Sequence, residues 1–244
     1  LLSIPLDAAI DVVALGGMIV AAPFVYGISA IKGSKSNAQS HPQSTAGDGA
    51  STPDTSPADG HSSSVDVYII PVEPYSFEAA EGLAHKLSTE LKLNVKASLP
   101  MGPKELVPLA GGSQFAADDI IQNASNVASR LPNKSDRAIT IALTTLDIND
   151  RAQPLRFLFS RNNKVSRTSV ISVARMSFST PIATASPEQT SLRLYKMTKR
   201  TIGEQFYGLS RSSNIADIMY APIMSLEDID AMGIDFKQAL REVP

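Results

Sequence analysis

Hydrophobic and polar positions divide the chain into three stretches of different character. Residues 12–31 contain no formal charge, and this length is close to the ~20 residues that a helix needs to cross a hydrocarbon layer. Residues 33–64 are dominated by Gly, Ser, Pro, Thr, Asn, Gln and Asp. From Val65 onward, β-branched runs alternate with helical spacing. The pattern predicts an apolar segment (1–32), a flexible linker (33–64) and one folded domain (65–244).

The apolar segment, residues 1–32, has three interpretations. One helix spanning a membrane fits its length, but Pro23 in its middle removes a helical hydrogen bond and kinks the axis. A segment lying on a membrane surface or buried in a partner has the same pattern, and so does part of a soluble core. We adopt membrane association, with a membrane or a membrane-protein assembly as the partner of residues 1–32.

Charges around the apolar segment do not fix the side of the membrane. Lys32 and Lys35 follow the apolar run, and this excess of cations would place the rest of the chain in the cytoplasm. The chain starts at Leu1 and not at a methionine, which suggests a processed product, and a removed leader would place the domain outside. We favour a cell-envelope location on the extracytoplasmic side.

The linker, residues 33–64, has too few apolar side chains to offset the entropy of ordering it. As a random coil it reaches ~30 Å, with about 100 Å available at full extension. His41 and His61 lie in this linker, and we expect both imidazoles to be solvated. The linker is therefore predicted to act as a tether for the folded domain.

Short β-branched runs predict the strands of the folded domain. They are VDVYIIPV, LNVKASL, RAITIALTTLDI, LRFLFS and TSVISVAR, the last two separated by a polar turn, RNNKV. Apolar residues spaced by three and four predict two helices, one from Phe77 to Leu91 with His85 on its polar face and one ending near Leu131. The order of elements gives an α/β or α+β fold, with RAITIALTTLDI as its central strand.

A long helix is predicted within PIATASPEQTSLRLYKMTKRTIGEQFYGL. Its apolar face is expected to contain Leu192, Tyr195, Ile202, Phe206 and Leu209. Its other face carries Arg193, Lys196, Lys199 and Arg200. We expect this basic face to be solvated, although acidic lipid or a protein partner is an alternative ligand.

The last predicted helix begins at Ser225. Asp228 lies three residues further on, which is an Asp variant of the capping box. Ile229, Met232 and Phe236 give this helix an apolar side.

Composition excludes several kinds of chemistry. The net charge of −2 and the mixed distribution of Lys, Arg, Asp and Glu provide no basic stripe for nucleic acid. No cysteine is present, which excludes disulfides, thiolate-bound metal and thiol nucleophiles. The folded part has one histidine, His85, and lacks Gly-rich phosphate or dinucleotide motifs. We predict no cofactor.

The stretch TIGEQFYGLSRSSNIADIMYAPIMSLEDIDAMG, residues 201–233, resembles the site helix and the following turns of the archaemetzincins, a group within the metzincin zinc proteases. The likeness extends over most of residues 65–240, including TTLDIND, RFLFS and SVISVARM. In that family the helix carries His-Glu-x-x-His-x-x-Gly-x-x-His, in which three histidines bind zinc and the glutamate polarises a water molecule.

The resemblance implies which residues occupy the family's metal positions. With the motif glycine at Gly208, the histidine positions hold Thr201, Gln205 and Arg211, and the glutamate position holds Ile202. A shift by one residue places Arg200 and Glu204 at the first two histidine positions and Thr201 at the glutamate. Neither alignment restores a histidine, so no metal is expected. Met219 in DIMY resembles the methionine of the family's Met-turn.

These observations favour a domain that is not an enzyme. We expect an inactive metalloprotease-like domain, tethered to a membrane, that serves as a structural or binding subunit of a cell-envelope complex and contacts protein subunits but no nucleic acid. Its candidate cleft contains Thr201, Gln205, Arg211, Glu204 and Met219.

Two other functions remain open. One is an atypical hydrolase that uses Glu204, Asp217 or His85, since a general base must lie within hydrogen-bond reach of its substrate. The other is a chaperone or inhibitor in which an extended peptide adds to a sheet edge in the former substrate cleft.

Overall fold

A computed structural model of the chain describes residues 64–103, 105–153, 155–180 and 183–239. The predictions for the apolar segment and almost all of the linker lie outside these residues. None of the helices in the described part of the chain combines the length and the apolar composition that a membrane span requires.

Strands and helices alternate along the described chain, as predicted. In chain order they are β1 (Val65–Pro71), α1 (Phe77–Leu91), β2 (Val95–Ala97), β3 (Phe115–Ala116), α2 (Ala117–Ala128), β4 (Lys134–Thr144), β5 (Ile148–Asn149), β6 (Ser160–Asn163), β7 (Thr168–Ser172), β8 (Phe178–Thr180), β9 (Ala183–Thr184), α3 (Pro187–Gln205) and α4 (Leu226–Ala231).

A five-stranded sheet with the order β2-β1-β4-β7-β6 forms the centre of the domain. Strands β2, β1, β4 and β7 are parallel, and β6 is antiparallel to β7. Strand β4 is central, which confirms the prediction made for RAITIALTTLDI. Two small pairs, β3 with β5 and β8 with β9, lie outside this sheet. Strand β6 is therefore one edge of the main sheet.

Helices cover both faces of this sheet. In β4, Ile141 and Leu143 belong to the apolar cluster that includes α1 and α3, whereas Ala142 belongs to the cluster that includes α2. This division follows from the alternation of side chains along a strand. A parallel strand covered on both faces is apolar throughout, which explains why β4 could be recognised as the central strand.

The β6–β7 hairpin differs from its prediction. Strand β6 is formed by the polar residues SRNN and not by LRFLFS, so the residues predicted as a turn form most of the strand. Phe159 is instead buried in the core and packs edge-on against Phe157, with ring centroids 5.0 Å apart. Polar residues are tolerated in β6 because an edge strand has one side open to solvent.

The basic residues of α3 are buried, so the prediction of a solvated basic face is wrong. Their exposed fractions lie between 2% and 7%, and the residues are Arg193, Lys196, Lys199 and Arg200. Helix α3 is covered on most sides, because one side packs on the sheet and another contacts α4 and the residues around it. Leu192, predicted on the apolar face, is 45% exposed.

Each buried cation of α3 has polar partners on another element. Arg193 forms a two-pronged pair with Asp230, with nitrogen–oxygen distances of 2.7 and 2.6 Å. Lys196 donates to the carbonyl oxygens of Ile229, Asp230 and Met232 at 2.7 to 2.9 Å, around the end of α4. Lys199 pairs with Glu90 on α1. These partners remove the penalty of burying an unpaired charge.

Helix α4 begins as the sequence predicts. The Ser225 side chain accepts a hydrogen bond from the Asp228 amide, and the Asp228 carboxylate accepts one from the Ser225 amide. This confirms the capping box. Ile229 on α4 and Met232 at its C-cap are buried, but the helix ends at Ala231, so Phe236 lies beyond it and not on its apolar side.

Candidate functional site

The C-terminal half of α3 contains the positions at which the archaemetzincin resemblance places metal ligands. Thr201 is buried within the helix. Gln205, one turn further on, donates a hydrogen bond from Nε2 to Ser169 Oγ on β7 at 2.6 Å. The amide nitrogen of Gln205 is therefore already engaged with the sheet.

Glu204 is the centre of a polar cluster between α3 and β6. Its carboxylate accepts a hydrogen bond from Asn162 Nδ2 at 3.2 Å. Two cations lie further away, Arg211 at 3.6 Å and Lys164 at 3.9 Å. The Glu204 side chain is only 8% exposed, so the cluster links the helix to the edge strand.

Arg200 completes this group from one turn earlier in α3. Its Nε donates to the carbonyl oxygen of Tyr220 at 3.2 Å. Burial and the nearby charge of Arg211 lower the pKa of Arg200, whereas Glu204 acts in the opposite direction. We call Arg200, Glu204, Arg211, Lys164 and Asn162 the Glu204 cluster.

The Glu204 cluster differs from the arrangement expected with Gly208 as the motif glycine. Arg211 pairs with Glu204 at 3.6 Å, and no hydrogen bond or ion pair joins Arg211 to Thr201 or Gln205 within the described residues. Arg200 and Glu204 are the pair from the shifted alignment, and Arg200 is within electrostatic range of both Glu204 and Arg211. Ligand binding at the five candidate cleft positions, Thr201, Glu204, Gln205, Arg211 and Met219, remains a prediction.

Asn162 and Lys164 were missed by sequence reasoning. Both fall in or beside the predicted polar turn RNNKV, and nothing in the sequence pairs that turn with a helix forty residues later. Asn162 Oδ1 is buried and has no hydrogen-bond partner among the described atoms. Unsatisfied buried polar atoms are uncommon in folded proteins, so this one distinguishes the cluster from an ordinary surface salt bridge.

Met219 lies beneath α3, where the resemblance to a Met-turn places it. It is fully buried, and its amide donates to Asp217 Oδ1 at 3.0 Å. Its sulfur would lie 2.7 Å from a β-carbon added at Gly203. A glycine inside a helix is unfavourable by itself, so Gly203 was a sequence signal for this close approach of the turn to the helix.

A zinc ion does not fit the residues at this position. Catalytic zinc takes three protein ligands from His, Cys, Asp or Glu. Here Gln205 uses its amide nitrogen as a donor, and Arg200 and Arg211 would repel a cation. Glu204 contributes the cluster's one carboxylate. Nowhere in the described ranges do three His, Cys, Asp or Glu residues form a group that could hold a metal ion.

The residues of the alternative hydrolase are not assembled either. His85 is exposed on α1. Asp217 is buried and accepts hydrogen bonds from the backbone amides of Met219 and Lys237 at 3.0 and 3.3 Å. No hydrogen bond or ion pair joins His85, Asp217 and Glu204 to one another in the part of the chain that the structure describes.

Two surface cavities lie away from this cluster. One, of about 390 Å³, is lined by residues 107–110 together with Asp150 and Arg151. The other, of about 440 Å³, lies beside β2 and is lined mainly by residues 96–101. Neither cavity is lined by a residue of α3 or by another member of the Glu204 cluster.

Solved structures with a similar fold include two archaemetzincins and a zinc-dependent peptidase. The archaemetzincin of Methanopyrus kandleri matches with a TM-score of 0.54 and 18% identity, over 73% of this chain and 92% of that one. The zinc-dependent peptidase of Methanocorpusculum labreanum gives 0.56 and 15%, over 70% and 95%. The archaemetzincin of Archaeoglobus fulgidus, complexed with malonate, gives 0.51 and 22%, over 70% and 95%. Protein-family models and curated proteins give no match.

The predicted resemblance to archaemetzincins is confirmed as a resemblance of fold. The domain has a mixed α/β fold with a central, mostly parallel sheet, similar to the archaemetzincin structures. The described residues contain no metal-binding group of the zinc-protease kind, which is consistent with a degenerate form of that fold.

The prediction that the chain is not an enzyme is contradicted by these comparisons. The structures that share its fold include archaemetzincins and a zinc-dependent peptidase, so the fold is that of a peptidase. The lack of metal-binding residues at Thr201, Gln205 and Arg211 is not proof of inactivity.

Proposed function

We propose that this chain is a metallopeptidase-like domain that binds an extended peptide along the outer edge of β6, beside the C-terminal half of α3. The observation that carries the proposal is the unpaired backbone edge of β6. In the described part of the chain, β6 pairs with β7 alone. An edge strand of this kind is a ready template for an additional strand.

The direction of the backbone groups in β6 follows from one hydrogen bond. The Ser172 amide donates to the Phe159 carbonyl at 2.9 Å, and Arg161 lies opposite Val170. Hydrogen-bonded pairs alternate along an antiparallel ladder. Arg161 therefore directs its amide and carbonyl toward β7, whereas Ser160 and Asn162 direct theirs outward. These two residues offer two donors and two acceptors to a peptide strand.

Replacing Ser160 tests this binding mode. Ser160→Pro removes an outward amide while leaving the hydrogen bonds to β7 in place, and proline is tolerated on an edge strand at such a position. We expect Ser160→Pro to weaken peptide binding about tenfold, as the loss of a backbone hydrogen bond and of close approach implies. The measurement is fluorescence anisotropy of the full chain with an array of labelled decapeptides.

Two controls accompany this measurement. Ser160→Ala keeps the amide and should bind the peptides as the unchanged protein does. Two sets of peptides, N-methylated at the odd or at the even positions, test strand addition without altering the protein. Methylation of the set whose amides face β6 should abolish binding, and methylation of the other set should not. Equal binding by Ser160→Pro and Ser160→Ala, with no effect of the methylation phase, would refute the proposal. Mass spectrometry of the same mixtures reports peptide cleavage.

We further propose that residues 1–32 hold the domain at a membrane and that residues 33–64 let it reach protein subunits of an extracytoplasmic, cell-envelope assembly. The uncharged run at 12–31 and the polar composition of the linker support this arrangement. It would make the domain a binding subunit of such an assembly.

Vesicle flotation tests the tether. The full chain should float with vesicles of phosphatidylcholine and phosphatidylglycerol, and a chain lacking residues 1–32 should stay at the bottom of the gradient. Flotation should persist in high salt, because apolar burial is not screened as charge attraction is. Flotation of both chains, or of neither, would rule out residues 1–32 as the membrane anchor.

A further inference from the structure

We infer that the Glu204 cluster selects a carboxylate in the bound peptide, an inference that rests on the peptide-binding function proposed above. Asn162 belongs both to the proposed peptide-binding edge of β6 and to the Glu204 cluster. This residue directs its backbone groups to the outer edge of β6 and its side-chain amide to Glu204. Lys164 follows directly after β6. A peptide strand on that edge therefore passes beside the cluster.

Charge at the cluster is unbalanced in favour of an anion. Three cations belong to the cluster with the single carboxylate of Glu204: Arg211 and Lys164, which pair with it, and Arg200, one turn earlier in α3. Arg200 forms no ion pair with any described carboxylate, and its Nε is held by the Tyr220 carbonyl. Asp217, in the turn under the helix, accepts backbone amides instead. A second carboxylate would bring the net charge of the cluster closer to zero.

The existing ion pairs at the cluster are loose. Arg211 and Lys164 lie 3.6 and 3.9 Å from Glu204, and their side chains are 63% and 76% exposed. By contrast, the pair that Arg193 of α3 forms with Asp230 of α4 is close and two-pronged, with a shortest distance of 2.6 Å. Charge-assisted hydrogen bonds are normally 2.7–2.9 Å long, and exposed pairs beyond that contribute little. Arg211 and Lys164 therefore retain donors for a carboxylate that arrives with the peptide.

The carboxylate has two possible sources, an Asp or Glu side chain within the peptide and the peptide's own C-terminus. Both present the same planar anion, which an arginine side chain binds with two parallel hydrogen bonds. A peptide that binds along β6 in an extended conformation can bring either carboxylate to the end of β6 beside Lys164.

The experiment uses a decapeptide that binds the full chain in the Ser160 assay. Each position in turn is replaced by Asp, Asn or Lys, and each peptide is made with a free or an amidated C-terminus. We expect Asp at one or two neighbouring positions to bind about tenfold more tightly than Asn, or the free C-terminus to bind about tenfold more tightly than the amide. Lys at the same position should weaken binding, and high salt should reduce the preference.

Charge variants assign the preference to the cluster. Arg211→Gln and Lys164→Gln should each reduce the Asp-over-Asn or acid-over-amide ratio several-fold. Arg130→Gln removes an exposed cation at the end of α2 and should leave the ratio unchanged. Peptide binding without any carboxylate preference, or with a preference that survives both variants, overturns this inference alone. If no peptide binds to the edge of β6, the proposed function fails together with it.

Discussion

Arg193→Met is expected to lower the free energy of unfolding by about 3–5 kcal/mol, the usual cost of removing one partner from a buried ion pair. Arg193 is 2% exposed and bonds Asp230 through two nitrogens. Its third nitrogen donates to the carbonyls of Met176 and Phe178 at 2.7 and 2.5 Å. Methionine keeps most of the side-chain volume but leaves these acceptors unpaired. Urea denaturation measures the difference.

Leu192→Met is the matched control for this prediction, because Leu192 is the preceding residue of the same helix and is 45% exposed. It should change stability by less than about 0.5 kcal/mol. A loss below about 1 kcal/mol in Arg193→Met would mean that the pair contributes little to the fold.

The same variant has a signature in the pH dependence of stability. Hydrogen bonds from Arg193 hold the pKa of Asp230 below its usual value, and its burial acts in the opposite direction. A carboxyl group with a lowered pKa contributes stability above its unfolded pKa, near 4, and loses that contribution as the pH falls through its folded pKa. The difference in unfolding free energy between the unchanged protein and Arg193→Met should therefore become smaller as the pH falls from about 5 to about 2.

Gly233→Ala is expected to destabilise the domain by about 3 kcal/mol or more, at the upper end for overpacking of a protein interior. A β-carbon at this position would lie 2.0 Å from the carbonyl oxygen of Ala216. The Gly233 amide also donates to the Ile215 carbonyl at 2.8 Å. The obstacle is backbone that this hydrogen bond holds in place, so a rotamer change cannot relieve it. Thermal and urea denaturation provide the measurement.

Alanine substitutions at two other glycines allow the stability change of Gly233→Ala to be compared with smaller expected changes. Gly82 lies in α1 with no atom within 4 Å of an added β-carbon, so Gly82→Ala should stabilise the domain by about 0.5–1 kcal/mol. In Gly203→Ala the atoms close to the added β-carbon belong to the side chains of Phe236 and Met219, which can move. The unfolding free energy of Gly203→Ala should therefore lie between those of Gly82→Ala and Gly233→Ala. An unfolding free energy that is unchanged in Gly233→Ala would show that the approach to Ala216 is not tight.

Hydrophobic periodicity was sufficient to predict the main elements of the fold. Residues 139–143 of strand β4 are buried and mostly apolar because helices cover both faces of the sheet, and the capping box at Ser225 indicates the start of α4. The edge strand β6 was misplaced because polar residues at a sheet edge look like a turn. Periodicity reports which residues are buried together, and β6 has one side open to solvent.

The burial of charge in α3 could not be predicted in the same way. A lysine or arginine in a sequence is normally solvated, and only a partner elsewhere in the chain changes that outcome. Glu90, the partner of Lys199, lies 109 residues away, and Asp230 lies 37 residues from Arg193. Such pairings depend on the tertiary fold, as does the meeting of Asn162 with Glu204, 42 residues apart.

Lys196, the buried lysine beneath the end of α4, also affects how the domain unfolds. Its ammonium group joins three carbonyls of the C-terminal region to the helix that packs on the sheet. Detaching that region would break these three hydrogen bonds to a charged group, each worth about 1.5–3 kcal/mol. We therefore expect the C-terminal elements to unfold together with the rest of the domain and not as a separately melting end.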